Sequence, residues 1–240
     1  MYHAIQRNKS GSVPVFNEDT LTSSVFGQLL YLPVELLWGI LKAGTYGNDL
    51  PETSGKLLNV EFWPHWNAEN TSNVNFVEPD VFIEFDGLNL IVESKRNDDG
   101  QQRKDQWRNE AQAYRNIIDE DQRAKPLYLI AVGGLHSEES ESLNIEENGC
   151  SVIVIKSRWA RLLAVVDRLR KSWREQYMHS SELLAKIRIM DDLVELFEMH
   201  GYGMYQWLED ADFRYWMKRK SVRGEALSFE IATGKNYGQK

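Results

Sequence analysis

The chain has 240 residues, 42% of them hydrophobic and 27% charged, with a formal charge of −8. This balance suits a folded domain and excludes a disordered chain. With no apolar run of membrane-spanning length and no apolar leader, the expectation is a cytoplasmic protein with no membrane partner. One cysteine, Cys150, leaves no intramolecular disulfide and no cysteine-based zinc cage. The charge is uneven: residues 1–155 carry 12 Lys/Arg against 24 Asp/Glu, and residues 156–240 carry 16 against 12. A purely electrostatic nucleic-acid binder is basic overall. If this chain meets nucleic acid, a metal, a local basic patch or a partner subunit must offset its acidic half.

Residues 1–16 are polar and aperiodic and read as a poorly ordered lead-in. Asn17 is a good N-cap, and Glu18 and Asp19 favour a helix start. Leu21, Val25, Leu29 and Leu32 then recur at helical spacing, and a second helix is predicted over Val34–Lys42. Residues 43–55 read as a loop, Leu57–Trp63 as a strand and Pro64–Asn75 as a polar connection. Two apolar runs, Asp80–Phe85 and Leu88–Lys95, flank Asp86-Gly87. This is a hairpin signal in which both turn residues are expected at positive φ. Lys104–Ile118 has a helical stripe of Trp107, Ala111, Tyr114 and Ile118. Leu127–Val132 reads as a buried strand closed by Gly133-Gly134, residues 137–148 as a polar connection and Ser151–Ile155 as a strand. Helices are predicted over Trp159–Tyr177, Ser181–Met199 and 204–220. The order predicts a mixed α/β sheet flanked by helices over residues 1–155, with a helical extension over 156–240 packed on it.

The hairpin carries the chemistry. With a two-residue turn, opposed positions sum to 173, so Asp80 faces Glu93 and Glu78 faces Lys95. Directly opposed residues share a face with Cβ atoms roughly 4.5–5.5 Å apart, and Lys95 lies two residues beyond Glu93 on that same face. Two opposed carboxylates repel, and Asp80→Ala is therefore expected to stabilise the metal-free hairpin. A divalent cation removes the conflict, and hard oxygen ligands suit magnesium or manganese. The cation would acidify a bound water and stabilise charge on a phosphate, with Lys95 orienting that water. The plainer alternative is a salt-bridged sheet face. Burying Glu93 and Lys95 beside Leu88–Val92 argues for a purpose.

Glu78-Pro79-Asp80, twelve residues, then Glu93-Ser94-Lys95 resembles the active-site motif of the PD-(D/E)XK nuclease superfamily, and the order of elements over residues 17–155 resembles its restriction-endonuclease-like core. The resemblance implies Asp80, Glu93 and the Ser94 backbone carbonyl as ligands of Mg2+ or Mn2+, with Lys95 positioning the attacking water. It also implies an acid from the first helix, for which Glu18 is the candidate and Asp19 the runner-up; dipole complementation is the alternative role for Glu18. A glutamine on the helix after the second strand is a further expectation, met by Gln106. Glu110 and Tyr114 follow at i+4 spacing, either as site residues or as a solvated helix face.

Two basic stretches are secondary candidates. Lys156, Arg158, Arg161, Arg168, Arg170, Lys171 and Arg174 would grip a DNA backbone, or would edge an amphipathic helix whose face Leu162, Leu163, Val166 and Leu169 packs on the sheet. Arg214, Lys218, Arg219, Lys220 and Arg223 form the second. The histidines show no zinc pattern, and no nucleotide-binding loop is present. The leading expectation is a metal-dependent DNA endonuclease of restriction, anti-phage defence, transposition or repair, working with a partner protein or as a homodimer. The alternatives are a catalytically idle binding or assembly subunit, and a phosphohydrolase acting on RNA or nucleotides.

Overall fold

The structure, a computed structural model, describes residues 16–97, 100–119, 124–145, 151–176 and 180–203. The chain divides into two units, Met1–Gly203 and Met204–Lys240. The predicted helix over 204–220, the second basic cluster and Cys150 lie outside the described residues.

Helix α1 (Glu18–Leu29) starts at a reciprocal cap: the Asn17 side chain accepts from Thr20 N at 2.9 Å, and Asn17 N donates to Thr20 Oγ1 at 3.0 Å. Its face of Leu21, Val25, Phe26 and Leu29 is fully buried. Pro33 stands before α2 (Val34–Gly44) and supplies the carbonyl that its first turn bonds. The strands are β1 (Leu57–Phe62), β2 (Trp66–Asn67), β3 (Phe76–Val77), β4 (Val81–Phe85), β5 (Asn89–Ser94), β6 (Leu127–Val132), β7 (Glu141–Asn144) and β8 (Ser151–Ser157). The remaining helices are α3 (Lys104–Ile117), α4 (Trp159–Gln176) and α5 (Ser181–Met199).

Six strands form one mixed sheet in the order β1-β4-β5-β6-β8-β7. The β5–β6 and β6–β8 pairs are parallel; the β1–β4, β4–β5 and β7–β8 pairs are antiparallel. β2, inside the stretch expected to be a polar connection, pairs with β3 just after it as a separate two-stranded ribbon, and β7 lies inside the other expected polar connection. Both were illegible for the same reason: two to four residues are too few to show a period.

Alternation along the central strands divides the apolar side chains between two faces. Val81, Ile83, Phe85, Leu90, Val92, Ile130 and Val132 join the core under α1, α2, α4 and α5. Phe82, Ile91, Leu127, Leu129 and Ala131 join the core under α3. Covered on both faces, β5 is buried at every residue. Helices α4 and α5 place Trp159, Leu162, Leu163, Val166, Met190, Leu193 and Phe197 in the same core as the sheet. Among the described residues no helix is long and apolar enough to cross a membrane.

The hairpin register is the expected one: Val81 pairs with Val92, Phe82 with Ile91, Ile83 with Leu90 and Glu84 with Asn89. The turn itself differs, because neither Asp86 nor Gly87 has positive φ. The chain before β1 holds it instead. Asp86 accepts from Lys56 N at 2.6 Å and returns its own N–H to Lys56 O at 2.9 Å, while Gly87 N donates to Ser54 O. A Cβ on Gly87 would meet Ser54 O at 2.9 Å, so the glycine serves a close approach rather than a left-handed turn.

Candidate active site

The C-terminal end of β5 collects side chains from both layers of helices. Residues 91 and 93 point to the α3 face, and residues 92 and 94 to the α1 face, by the alternation of a strand. Glu93 accordingly meets α3: its Oε1 accepts from Gln106 Nε2 at 2.6 Å, and its backbone carbonyl accepts from Gln102 Nε2 at 3.0 Å. Ser94 meets α1, with its Oγ 2.6 Å from Thr22 Oγ1. Asp80, one residue before β4, receives both the Ser94 N–H (2.8 Å) and the Ser94 hydroxyl (2.7 Å) on Oδ2.

Lys95 joins the two layers. Its Nζ donates to Glu93 Oε1, and to Glu18 Oε1 at 3.2 Å. The other Glu18 oxygen accepts from Arg96 N at 3.0 Å. Glu18 is thus drawn to the strand end from the first turn of α1. Asp19, the alternative acid, lies near the Asn17 side-chain amide at 3.4 Å.

Asp80, Glu93, Ser94, Lys95, Glu18 and Gln106 come together at this strand end. Glu78 does not. Its carboxylate turns to His65 Nε2 at 2.5 Å, and that imidazole stacks on Phe76 at 4.0 Å. The ladder stops before Glu78, where the chain diverts into β3, so it never comes opposite Lys95. Repulsion between Asp80 and Glu93 is present, since the Asp80 charge raises Glu93, but hydrogen bonding offsets it at Asp80. The carboxylate is the acceptor for two Ser94 donors, and Asp80→Ala would strand them.

Glu110 is the residue whose role changes most. It is not part of a solvated helix face: it is 1% exposed, and its carboxyl lies close against that of Glu93. Neither of its oxygens meets an N–H or O–H from the described residues. That contact therefore requires one of the two acids to hold a proton, or a cation to lie between them. Tyr114 is also buried, with its hydroxyl on Asn89.

Four carboxyls against one ammonium set the electrostatics. Burial, the Asp80 charge and weaker compensation from Lys95 push Glu93 up to about 7. Burial raises Asp80 as well, against the pull of its Ser94 hydrogen bonds. Burial and the Glu93 charge lift Glu110 well above the carboxylate range. Burial works against the Lys95 ammonium, but Glu93, Glu18 and Asp80 outweigh it and hold the lysine above its ordinary value.

This excess of buried acid is the observation that bears on a metal. The donors are hard oxygens, and both Glu110 carboxyl oxygens are buried without a hydrogen-bond partner among the described residues. Among the described residues no group of three or more His, Cys, Asp or Glu is placed to hold a metal ion. Two carboxylates with water completing the shell is the arrangement magnesium accepts. Asp80, Glu93 and the Ser94 carbonyl fit that description as donors.

Several supporting residues carried little sequence signal. Gly133 and Gly134, at φ +69° and +60°, wrap the chain against Lys95. A Cβ on Gly133 would sit 2.3 Å from Lys95 O, and one on Gly134 2.8 Å from Lys95 Cβ. Trp159 Nε1 donates to Lys95 O at 2.8 Å, and Lys95 N to Val132 O at 2.7 Å. Gln102 is held by Trp107 Nε1 at 2.7 Å. Thr22 had a usable signal, since it lies one turn after Glu18 on the same helix face.

The basic segment does not form a free stripe. Lys156 is withdrawn from that surface: it is 1% exposed, lies 3.6 Å over the Trp107 ring and pairs with Glu141 at 3.1 Å. Its place in a covered strand sends it inward. Arg158 pairs with Glu138, Arg161 donates to the carbonyls of Gly44 and Thr45, and Arg170 and Arg174 share Asp191. Lys171 bonds Asp167 at 2.9 Å, and Arg168 is exposed.

No family model matches the chain. It is 31% identical over 230 residues to the uncharacterized protein PM0110 of Pasteurella multocida (strain Pm70), covering 92% of this chain and 82% of that protein. The chain belongs to the family of that Pasteurella protein. The similarity covers nearly all of the chain, and the relative's name assigns no activity.

Proposed function

We propose that this protein is a metal-dependent nuclease of the PD-(D/E)XK type, with a restriction-endonuclease-like core, that cuts DNA internally. One observation carries the reading: Asp80, just before β4, and Glu93, near the end of β5, meet at one end of a buried hairpin, with Lys95 bridging Glu93 and Glu18. Such a concentration of buried acid around one lysine costs stability and has no structural need. The mixed sheet, with α1 on one face and α3 on the other, supports the same reading.

When bound, Mg2+ or Mn2+ would acidify a water and offset charge on the phosphate. The protein's own residues do the rest. Asp80, Glu93 and the Ser94 carbonyl hold the ion, and Ser94 and Gln106 fix the two carboxylates. Lys95 Nζ is placed to orient a water and to meet developing negative charge. Glu18 keeps the ammonium at the strand end, and the glycines at 133 and 134 keep its backbone there. Cutting two strands takes two such sites, which favours a homodimer or a partner protein.

The test is cleavage of supercoiled plasmid, linear duplex, single-stranded DNA and RNA with Mg2+, Mn2+ or EDTA, using wild type and Lys95→Ala. Metal-dependent DNA cleavage lost in the variant is the expected result. Cleavage of RNA or nucleotides alone would identify a phosphohydrolase on the same residues. Neither cleavage nor calorimetric metal binding would identify an assembly subunit.

A further inference from the structure

A second cavity lies beside the carboxylates, where the loop after β5 meets the end of α5. Its volume is about 320 Å3, and it is lined by Arg96, Asn97, His200, Gly201 and Tyr202. The two walls are tied together. The Tyr202 hydroxyl donates to the Arg96 carbonyl, and Arg96 N donates to Glu18, so the cavity is one residue from Lys95. Gly201, at φ +90°, turns the chain after α5 so that Tyr202 can reach back.

Its polar groups differ from those of the carboxylate cluster. Lys95 is ion-paired to Glu93 and Glu18, whereas the adjacent Arg96 side chain is exposed and has no ion-pair partner among the described residues. His200 is 6% exposed, and its Nδ1 has no hydrogen-bond partner. The Phe16 ring holds the imidazole edge-on at 5.2 Å. Burial and the Arg96 charge keep His200 below its ordinary pKa, so it enters as a neutral ring with one N–H. Nδ1 is closed off from solvent, so only the other ring nitrogen can present an N–H to the cavity. A planar fork of donors beside a neutral N–H suits a phosphate oxygen pair.

We infer that this cavity seats a backbone phosphate of DNA flanking the one that is cleaved, with Arg96 supplying the charge and His200 an N–H. The inference rests on the nuclease reading and names a substrate contact for it. The ligand is a phosphodiester of the substrate strand, held without base contacts, so the contribution is the same for every sequence.

The experiment is fluorescence anisotropy of a short labelled DNA duplex with the full chain in EDTA, over a series of salt concentrations. Arg96→Gln should lower affinity about tenfold for unrelated sequences alike and reduce the slope of log K against log salt by about 1. Arg96→Lys should restore the slope, and His200→Phe should lower affinity severalfold with the slope unchanged. Wild-type affinity and slope in Arg96→Gln would overturn the inference, as would absence of duplex binding by the wild type or tighter binding of the matching RNA. Where Arg96→Gln does not fold by circular dichroism, the Arg96→Lys and His200→Phe measurements decide. The nuclease reading fails separately, by absence of metal-dependent cleavage that Lys95→Ala removes.

Discussion

Ser94 donates its backbone N–H and its hydroxyl to one oxygen of Asp80, at 2.8 and 2.7 Å. The residue between the second acid and the lysine is thus what holds the first acid. It also reaches Thr22 on α1, so the strand end, Asp80 and the first helix share one buried polar network.

Ser94→Ala removes the hydroxyl from that network and leaves Thr22 and one Asp80 contact short. Loss of about 1–3 kcal/mol is expected from urea unfolding, since a buried acceptor loses its donor. A change within error would show that the network does not stabilise the fold. Asp80→Ala should likewise destabilise, because the Ser94 N–H is left buried without an acceptor.

Glu110→Gln should do the opposite. The amide keeps the shape, removes a buried acid that has no donor, and offers an N–H to Glu93. The metal-free variant should gain about 1–2 kcal/mol at pH 8 in urea. Lower stability than wild type would contradict the placement of an unneutralised acid at Glu110.

Stability of the metal-free protein should fall as pH rises from about 4.5 to 7. Glu93 titrates at about 7 when folded against an ordinary 4.5, so across that window the folded state holds a proton that the unfolded state has lost. The unfolded state binds fewer protons, and the slope of stability with pH is negative. The contribution amounts to on the order of 3 kcal/mol, with Asp80 and Glu110 acting in the same direction. Thermal melts in EDTA at pH 5 and pH 8 measure it, and Glu93→Gln should flatten the profile.

Gly133→Ala should harm the protein more than Gly134→Ala. Both positions have positive φ, which costs an alanine about 1 kcal/mol. At 133 the added methyl also strikes the Lys95 carbonyl, and at 134 it strikes the Lys95 side chain. Gly133→Ala should therefore lower the melting temperature strongly. Gly134→Ala should melt closer to wild type while losing cleavage through the displaced lysine. Equal melting of the two variants would count against this division.

Much of this was legible along the chain. Asn17 capped its helix, the alternation in 81–85 and 89–94 paired as the 173 sum requires, and Gln106, expected from the resemblance, bonds Glu93. These are local or single-turn relationships, in which chain geometry leaves few choices. Glu78 shows the limit of that arithmetic: it holds only while the ladder continues, and the pairing ends at Val81 and Val92.

The sequence by itself determined the hairpin, its register and the identity of the acids and lysine, because backbone periodicity ties those residues to one another. Only the tertiary structure decided what surrounds them. Glu110 and Lys156 carry charges that local pattern places in water, yet one packs against Glu93 and the other under Trp107. Burial of a charge is decided by which elements close over it, and that depends on contacts between β5, β8 and α3 far apart in the chain. The Arg96–His200 cavity is of the same kind, since its walls come from segments about a hundred residues apart that meet only when α5 docks.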